Sequence, residues 1–263
     1  GVPLDPNETS PIHRVYKINL GDGPSNPDWA NWPAQFGAPT NPDGTPRVIG
    51  QQTMWCVYND AVVGKHTNNA GNSPPLGVEV RQTAYGFTHP GGLYKSVFLD
   101  FEIENKGPNL LEEMYISFWY DPDLGGFTDD FVGCDTTLSL GYCYNADDAD
   151  AQYGFHPPAV GCKLLLGPIV NGDTLGMFSF NKYINGTDPS SPLETYNYMR
   201  GLDLSGAPQL CDGVPTRFVL SGDPVAGTGC LDSAPSDRRF MVTTGPITMH
   251  HGDVQRLVVA VIA

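Results

Sequence analysis

An alternation of apolar and acidic residues within the segment 94–105, YKSVFLDFEIEN, is the feature that most constrains the fold. Its apolar positions, Leu99, Phe101 and Ile103, alternate with carboxylates, and this period of two predicts a β-strand with one buried and one solvated face. The next apolar segment, EEMYISFWYD at 112–121, follows a short turn and is the natural antiparallel neighbour. Further strands are predicted at 13–20, 51–63, 77–87, 159–169, 175–184, 216–222, 238–245 and 254–263.

These segments predict an all-β protein, an antiparallel β-sandwich that is jelly-roll-like, with long Gly/Pro/Asp-rich loops and at most one short helix. The helix is expected at 192–202, because Pro192 suits a first helical position and Gly201 a helix end. The 31 Gly and 24 Pro of the 263 residues fit many turns. Since no repeat or linker divides the chain, we predict a single domain over 1–263, with 1–50 as a turn-rich segment packed on it.

The charge disfavours two classes of partner. The formal net charge is −15, from 14 basic and 29 acidic residues. Such a surface repels phosphate backbones and anionic lipid, so we expect no nucleic-acid partner. No apolar run approaches the roughly 18 residues of a membrane-spanning helix, so we expect no membrane insertion.

Six cysteines occur without any C-x-x-C spacing, which removes the motifs of zinc ribbons and thioredoxin-like proteins. An even number in an acidic, Pro/Gly-rich chain fits disulfides formed in an oxidising compartment. Free buried thiols are the alternative. The favoured disulfides join cysteines that are close in sequence, Cys134–Cys143 and Cys211–Cys230. The two cysteines that are left would then form the third pair, Cys56–Cys162.

The segment 118–150 gathers eight Asp with several Gly and no Lys or Arg. Carboxylates in Gly-rich turns repel one another unless a cation lies among them, and Ca²⁺ takes about six to eight oxygen ligands from such loops. Solvated turns and caps are the alternative. The spacing is not that of an EF-hand, since Gly125 and Val132 stand at ligand positions. The predicted Ca²⁺ ligands are Asp121, Asp123, Asp129, Asp130, Asp135, Asp147, Asp148 and Asp150.

Two further groups have predicted roles. The run Asp237-Arg238-Arg239 is expected to form internal ion pairs with the acidic loops, because Arg makes bidentate contacts with carboxylates. Trp29 and Trp32 are candidate sugar-stacking residues, and packing in the core or at a sheet edge is the alternative.

Catalysis lacks a motif in this sequence. Neither the G-x-S-x-G elbow nor H-E-x-x-H occurs. The adjacent His250 and His251 would point to opposite faces of a strand. A glycoside hydrolase needs two carboxyls about 5–9.5 Å apart, a distance that the sequence does not set. We therefore predict no enzymatic activity and no catalytic residue.

Long segments of the chain resemble one kind of bacterial protein module. The resemblance covers nearly the whole chain and rests on, among others, PDWANWPAQFGAP (27–39), GQQTMWCVYNDA (50–61), FWYDPDLGGFTDDFVGCDTTLSLGYCYNADDADAQYG (118–154) and DRRFMVTTGPITMHHGDVQRLVVAVIA (237–263). The module is that of large secreted or surface proteins of Bacteroidetes, Ignavibacteria and Calditrichaeota, which often carry a type IX secretion sorting domain. The resemblance implies a secreted, extracellular or cell-surface location and no assigned activity. Cys162, Cys211 and Cys230 depart from the usual pattern and favour disulfides particular to this chain.

We expect a non-enzymatic extracellular structural or assembly module, such as a surface-layer, sheath or filament subunit, stabilised by Ca²⁺ and disulfides. The apolar end, residues 257–263, is predicted to offer an exposed strand edge for self-association. Neighbouring domains of a longer precursor are further expected partners. The alternative is a carbohydrate-binding module of a larger secreted protein, with a polysaccharide as partner.

Overall fold

The computed structural model describes residues 12, 14–88, 93–184 and 188–263. Its secondary structure is mostly antiparallel strands, so the predicted all-β, sandwich-like fold is confirmed. The strands are β1 (Tyr16–Asn19), β2 (Gln52–Asn59), β3 (Val78–Gly86), β4 (Ser96–Asn105), β5 (Leu111–Tyr120), β6 (Asp130–Asp135), β7 (Leu140–Asn145), β8 (Ala149–Asp150), β9 (Gly154–Phe155), β10 (Val160–Leu166), β11 (Ile169–Val170), β12 (Asp173–Thr174), β13 (Ser179–Ile184), β14 (Gln209–Cys211), β15 (Val214–Thr216), β16 (Arg238–Met249) and β17 (Val254–Ile262).

Two α-helices occur among the described residues, α1 (Pro27–Ala30) and α2 (Pro192–Met199). The helix α2 was predicted: the Ser191 hydroxyl accepts the Glu194 N–H, and Pro192 occupies the first turn. The single turn α1 was not predicted. It forms because the Asn26 side chain accepts the Asp28 N–H before a helix-starting proline.

The Cα positions group the described residues into two compact units, each built from separate stretches of chain. The first unit comprises Gly1–His66, Pro74–Glu112 and Thr248–Ala260, and the second comprises Thr67–Ser73, Glu113–Ile247 and Val261–Ala263. The single domain expected over 1–263, with its packed segment 1–50, stays a prediction.

In the first unit, β1, β2, β3, β4 and β17 are successive neighbours in a sheet. The predicted strand at 94–105 is β4, and all nine residues of β3 pair with it in antiparallel register. An aromatic cluster of Tyr16, Trp32 and Trp55 lies beside β1 and β2, with Trp29 packed against it. The Trp32 side chain is 8% exposed, and its indole N–H donates to the Pro39 carbonyl at 2.8 Å.

Burial argues against a sugar-stacking role for Trp32, whereas that role stays a prediction for Trp29. The Trp32 ring is buried, so no ligand reaches its face, and that part of the prediction is wrong. Trp29 is half-buried and packs on the same cluster. Both rings contribute apolar area to the core of the first unit, which was the alternative interpretation.

The expectation of an exposed strand edge at 257–263 is also wrong. In β17, Leu257 and Val259 have no exposed surface and Ala260 is 2% exposed. This strand neighbours β4, and Arg256 on β17 pairs with Asp100 on β4 at 2.9 Å. A strand buried in this way is part of the core and does not present a free edge.

In the second unit, β10, β7 and β6 form one layer and β13, β16 and β5 form another. Gly141 on β7 faces the second layer so closely that an added Cβ would lie 2.8 Å from Val242 and 2.9 Å from Phe180 and Phe240. Tyr120 stacks on Phe240 with ring centroids 5.2 Å apart. Two interdigitating antiparallel layers are the defining feature of a β-sandwich.

Two expectations about the second unit were incomplete. The acidic region contains the β6–β7 hairpin, in which Asp130 pairs with Asn145, although we expected only loops there. The segment 216–222 was expected to be a strand. The strand β15 instead ends at Thr216, whose hydroxyl accepts the Phe218 N–H and competes with a regular ladder.

One of the three predicted disulfides is confirmed. Cys211 and Cys230 are bonded, with Cα atoms 5.8 Å apart. The pairs Cys134–Cys143 and Cys56–Cys162 are wrong, because all four are free thiols. In the β6–β7 register Cys134 lies opposite Gly141 and Cys143 opposite Val132, so the two cysteines are offset by two positions. Cys56 and Cys162 belong to different units.

Candidate functional site

The outer face of the β13-β16-β5 layer carries a concave surface that combines aromatic and polar groups. Successive side chains of a strand point to opposite faces. Phe180 and Phe240 face the sandwich interior, so Tyr183, Met241 and Trp119 lie on the other face. Ser117 is on that face too, and its hydroxyl meets the Thr243 hydroxyl at 2.5 Å.

The helix α2 packs on part of this face. The Tyr198 ring stacks on the Tyr183 ring with centroids 5.3 Å apart and an interplanar angle of 14°. The Ser179 hydroxyl donates to the Met199 carbonyl at 2.7 Å. The Thr195 hydroxyl donates to the Ala70 carbonyl at 2.9 Å and joins α2 to the short turn of residues 69–71.

Between α2, this turn and β5 lies a cleft of about 570 Å³. That volume falls within the range of small-molecule sites, about 300–1,000 Å³. Its lining combines two aromatic rings and two thioethers with amide, hydroxyl and carboxylate groups. The lining residues are Asn68, Ala70, Gly71, Ser117, Trp119, Tyr183, Asp188, Pro189, Thr195, Met199 and Met241.

Trp119 is the accessible aromatic residue of the cleft. Its side chain is 52% exposed, and it makes a hydrogen bond with the Tyr183 side chain. The indole N–H is a donor only, so the Tyr183 oxygen accepts. About half of the indole surface remains available beside this contact. A flat aromatic side chain has few rotatable bonds and loses little conformational freedom when a ligand stacks on it.

The two stacked phenols remain protonated at physiological pH. Burial raises the pKa of Tyr183 far above its usual value, and the Asp188 charge adds to this. Burial also raises the pKa of Tyr198 to about 12, again with Asp188 contributing. Neutral phenols both donate and accept hydrogen bonds, as hydroxylated ligands do.

Carboxylates gather around Arg239 on the strand β16 beside the cleft. Its guanidinium contacts Asp121 at 2.9 Å, Asp237 at 3.3 Å and Asp188 at 3.5 Å. Oxygen atoms of Asp121, Asp123 and Asp237 all lie within 4.8 Å of one another. The expected ion pairs of Arg239 with the acidic loops are thus confirmed. The arginine supplies part of the positive charge that we expected from a metal ion.

Arg238 forms a second, buried ion pair. Its Nε and Nη2 donate to the two carboxylate oxygens of Asp232 at 2.7 and 2.8 Å, and the side chains are 2% and 1% exposed. Lys182 contacts the same carboxylate at 3.1 Å, and the Val132 N–H donates to it at 3.0 Å. This pair ties the segment around 232 to both layers of the sandwich and has a structural role.

Two of the predicted Ca²⁺ ligands meet at Gly126. The Asp150 carboxylate accepts the N–H groups of Gly126, Gln152 and Tyr153 at 2.6 to 2.7 Å, and these bonds lower its pKa. An Asp129 oxygen and an Asp150 oxygen would each lie 3.2 Å from a Cβ at Gly126. Asp150 therefore closes the loop as a hydrogen-bond acceptor.

Asp130 is fully buried at the start of β6. Its carboxylate accepts the Leu124 N–H at 3.1 Å. Burial raises its pKa to about 6, against a usual value of 3.8. The neighbouring charges of Asp129 and Asp123 act in the same direction.

The other predicted ligands occupy separate turns. Asp135 accepts the N–H groups of Thr137 and Leu138. Asp147 accepts the N–H of Ala149 at 2.9 Å. The Asp148 carboxylate lies 2.8 Å from Nδ1 of the His156 ring.

The eight carboxylates are therefore not brought into one site. Within the described ranges, Asp121, Asp123 and Asp237 are the only three carboxylates that meet the 4.8 Å condition together. Asp237 lies outside the set predicted from the sequence. Carboxylate oxygens suit Ca²⁺, and Ca²⁺ binding there stays a prediction.

Comparison with known proteins gives no family assignment. No protein-family profile matches the chain, and no curated protein sequence matches it. None of the described helices is long and apolar enough to cross a membrane.

Sequence reasoning missed the cleft because its residues are far apart in the chain. Trp119, Tyr183 and Asp188 come from β5, β13 and the segment after it. One signal in the sequence of β5 did point to the cleft, because Trp119 lies between Phe118 and Tyr120 and its side chain must face away from theirs. A large aromatic side chain on the solvated face of a strand indicates a binding surface, whereas a count of four Trp does not.

Proposed function

We propose that the cleft beside Trp119 binds a carbohydrate, and that the protein is a non-enzymatic carbohydrate-binding module of a secreted, extracellular or cell-surface protein. The observation that carries this proposal is the half-exposed indole, which contacts the Tyr183 hydroxyl and lines a cleft of sugar size. A pyranose presents C–H groups on its ring faces and hydroxyls around its rim. Such a ligand needs an aromatic face together with dispersed polar partners.

The cleft offers both kinds of contact. Trp119 provides the apolar face, and Met199 and Met241 extend it. Polar groups of Asn68 and Asp188 lie on the same lining and are suited to donate to, or accept from, ring hydroxyls. A mostly apolar lining with a few placed polar groups is typical of small-ligand sites.

Binding is a better interpretation than hydrolysis. Of the described lining residues, Asp188 is the one carboxylate, and it contacts the Arg239 guanidinium at 3.5 Å. A glycosidase requires two carboxyls, one of them with a raised pKa. Asp130 has such a raised pKa, but it is not among the residues that line the cleft.

The Cys211–Cys230 disulfide supports the proposed location, because disulfides persist in oxidising compartments. The structural or assembly function expected from the sequence loses its proposed route, since β17 is buried. Self-association stays a prediction.

A glycan microarray, followed by calorimetry in solution, tests the proposal. We expect the protein to bind at least one class of polysaccharide, and Trp119→Ala to weaken binding at least about tenfold, or about 1.4 kcal/mol. Phe155→Ala is the matched control, because that ring is 80% exposed and does not line the cleft. Equal loss in both variants, or unchanged binding in Trp119→Ala, would contradict the proposal.

A further inference from the structure

We propose that the cleft prefers saccharides carrying a protonated amine, such as glucosamine units, and that Asp188 is the residue that determines this preference. The inference rests on the proposed function and names the class of sugar that the same cleft takes. It is drawn from the distribution of charge around the lining.

The charged groups at one end of the cleft are predominantly negative. Asp188, Asp121 and Asp237 contact Arg239, and Asp123 lies with the latter two carboxylates. This group therefore combines four carboxylates with one guanidinium, and its formal charge is negative. Among the described lining residues there is no Lys or Arg.

Groups on the helix side have the same sign. The Tyr198 phenol experiences the negative charges of Asp188, Asp203 and Glu194. The cations that this face does carry are engaged elsewhere. Arg200 lies over the Tyr196 ring, with its guanidinium carbon 5.8 Å from the ring centroid, and Arg217 lies 4.0 Å from the Phe178 centroid; neither ring lines the cleft.

Asp188 is placed to act on a ligand. Its side chain is 38% exposed and its contact with Arg239, at 3.5 Å, is the longest of the three that this guanidinium makes with carboxylates. An ammonium group is attracted to a carboxylate by a charge-assisted hydrogen bond. It is also attracted to an indole face, and Trp is the best aromatic partner for a cation. Trp119 and Asp188 line the same cleft, so an amine-bearing sugar gains from both.

The negative charges around the cleft disfavour acidic sugars. A uronate would bring a carboxylate towards Asp188 without a free cation in the lining to receive it. Like charges placed together reduce affinity and supply specificity by repulsion. Neutral sugars keep the stacking contact with Trp119 and neither gain nor lose from the charges. The expected order of affinity is amine-bearing, then neutral, then acidic.

Three hexamers with the same β-1,4-linked backbone separate these classes: the glucosamine hexamer, cellohexaose and a glucuronic acid hexamer. Calorimetric titrations at pH 5.5, where the amines are protonated, are made at low and at high salt. We expect the glucosamine hexamer to bind at least fivefold more tightly than cellohexaose at low salt. High salt should reduce that ratio, because screening weakens exposed charge pairs.

Asp188→Asn should reduce the ratio of the two affinities, glucosamine hexamer over cellohexaose, to about one, because it removes the charge that acts on the amine and keeps a polar side chain in the lining. Asp173→Asn is the charge-matched control, because it removes one carboxylate from an exposed strand of the same unit that does not line the cleft. A preference retained in Asp188→Asn would overturn the assignment of Asp188. The hexamer series on the unmodified protein decides the ligand class even if the variant does not fold.

The outcomes distinguish this inference from the proposed function. Equal affinities for the glucosamine and neutral hexamers, both lost in Trp119→Ala, would overturn the preference and leave carbohydrate binding standing. If the protein binds other glycans but does not prefer those that carry an amine, the preference is likewise overturned and carbohydrate binding still stands. No binding of any saccharide would contradict the proposed function, and the preference with it.

Discussion

The Asp130 carboxyl should make the stability of the fold depend on pH in a direction opposite to that of most acidic residues. Its side chain has no exposed surface, and burial raises its pKa to about 6 from 3.8. Between these two pH values the folded protein binds more protons at this site than the unfolded chain does. The stability contributed by the neutral form is therefore fully present below pH 3.8 and is lost as pH rises through about 6.

The size of the effect follows from the two pKa values. Their difference is about two units, and one unit corresponds to about 1.36 kcal/mol. Ionised Asp130 thus costs the fold about 2–3 kcal/mol above pH 7, relative to a neutral group. Asp130→Asn keeps the shape and an oxygen acceptor for the Leu124 N–H and removes the charge.

Asp130→Asn should therefore raise the free energy of unfolding by about 2 kcal/mol at pH 8 and change it little at pH 4. Urea unfolding of both proteins at intervals from pH 4 to pH 8, in EDTA, measures this difference directly. Asp173→Asn, at an exposed position, serves as the control for the removal of one carboxylate. A difference that is constant with pH, or a variant less stable than the parent at pH 8, would refute the reasoning.

Three further predictions concern the ion pair, the disulfide and the metal. Arg238→Met leaves the buried Asp232 carboxylate without its bidentate partner, so urea unfolding should show a loss of about 3–5 kcal/mol; a loss below about 1 kcal/mol would contradict this. Replacing Cys211 and Cys230 by Ser opens a link across 19 residues and should lower stability by about 2–4 kcal/mol, measured against the parent in the same buffer without reductant; equal stability would be the contrary result. If Ca²⁺ binds beside Asp123, millimolar Ca²⁺ should raise the melting temperature relative to EDTA, and Asp123→Asn should remove the increase; identical melting in Ca²⁺ and EDTA would exclude that site.

Local patterns predicted the elements that local physics determines. The apolar alternation around Leu99 and Ile103 predicted β4, and Pro192 together with Gly201 predicted α2. Both signals act within a few residues, through burial of one face and through the backbone conformations that proline and glycine favour.

The site was less predictable because it depends on contacts between distant parts of the chain. Asp121 is neutralised by Arg239, which lies 118 residues away, and no spacing rule relates the two. Trp32 and Trp119 are the same residue type, yet one is 8% and the other 52% exposed. Tertiary packing decides which of the two rings is accessible to a ligand. The sequence reveals this only in a strand where apolar and polar residues alternate clearly.

Carbohydrate binding in the cleft is tested most directly by the indole N–H resonances of the four tryptophans in a two-dimensional ¹H–¹⁵N NMR spectrum, recorded while cellohexaose or the glucosamine hexamer is added. The account predicts that the Trp119 indole resonance shifts and saturates. The Trp32 indole, bonded to the Pro39 carbonyl, and the Trp55 indole, 1% exposed, should remain in place. Shifts confined to Trp29 or Trp32, or no indole shift with any saccharide that binds, would contradict it.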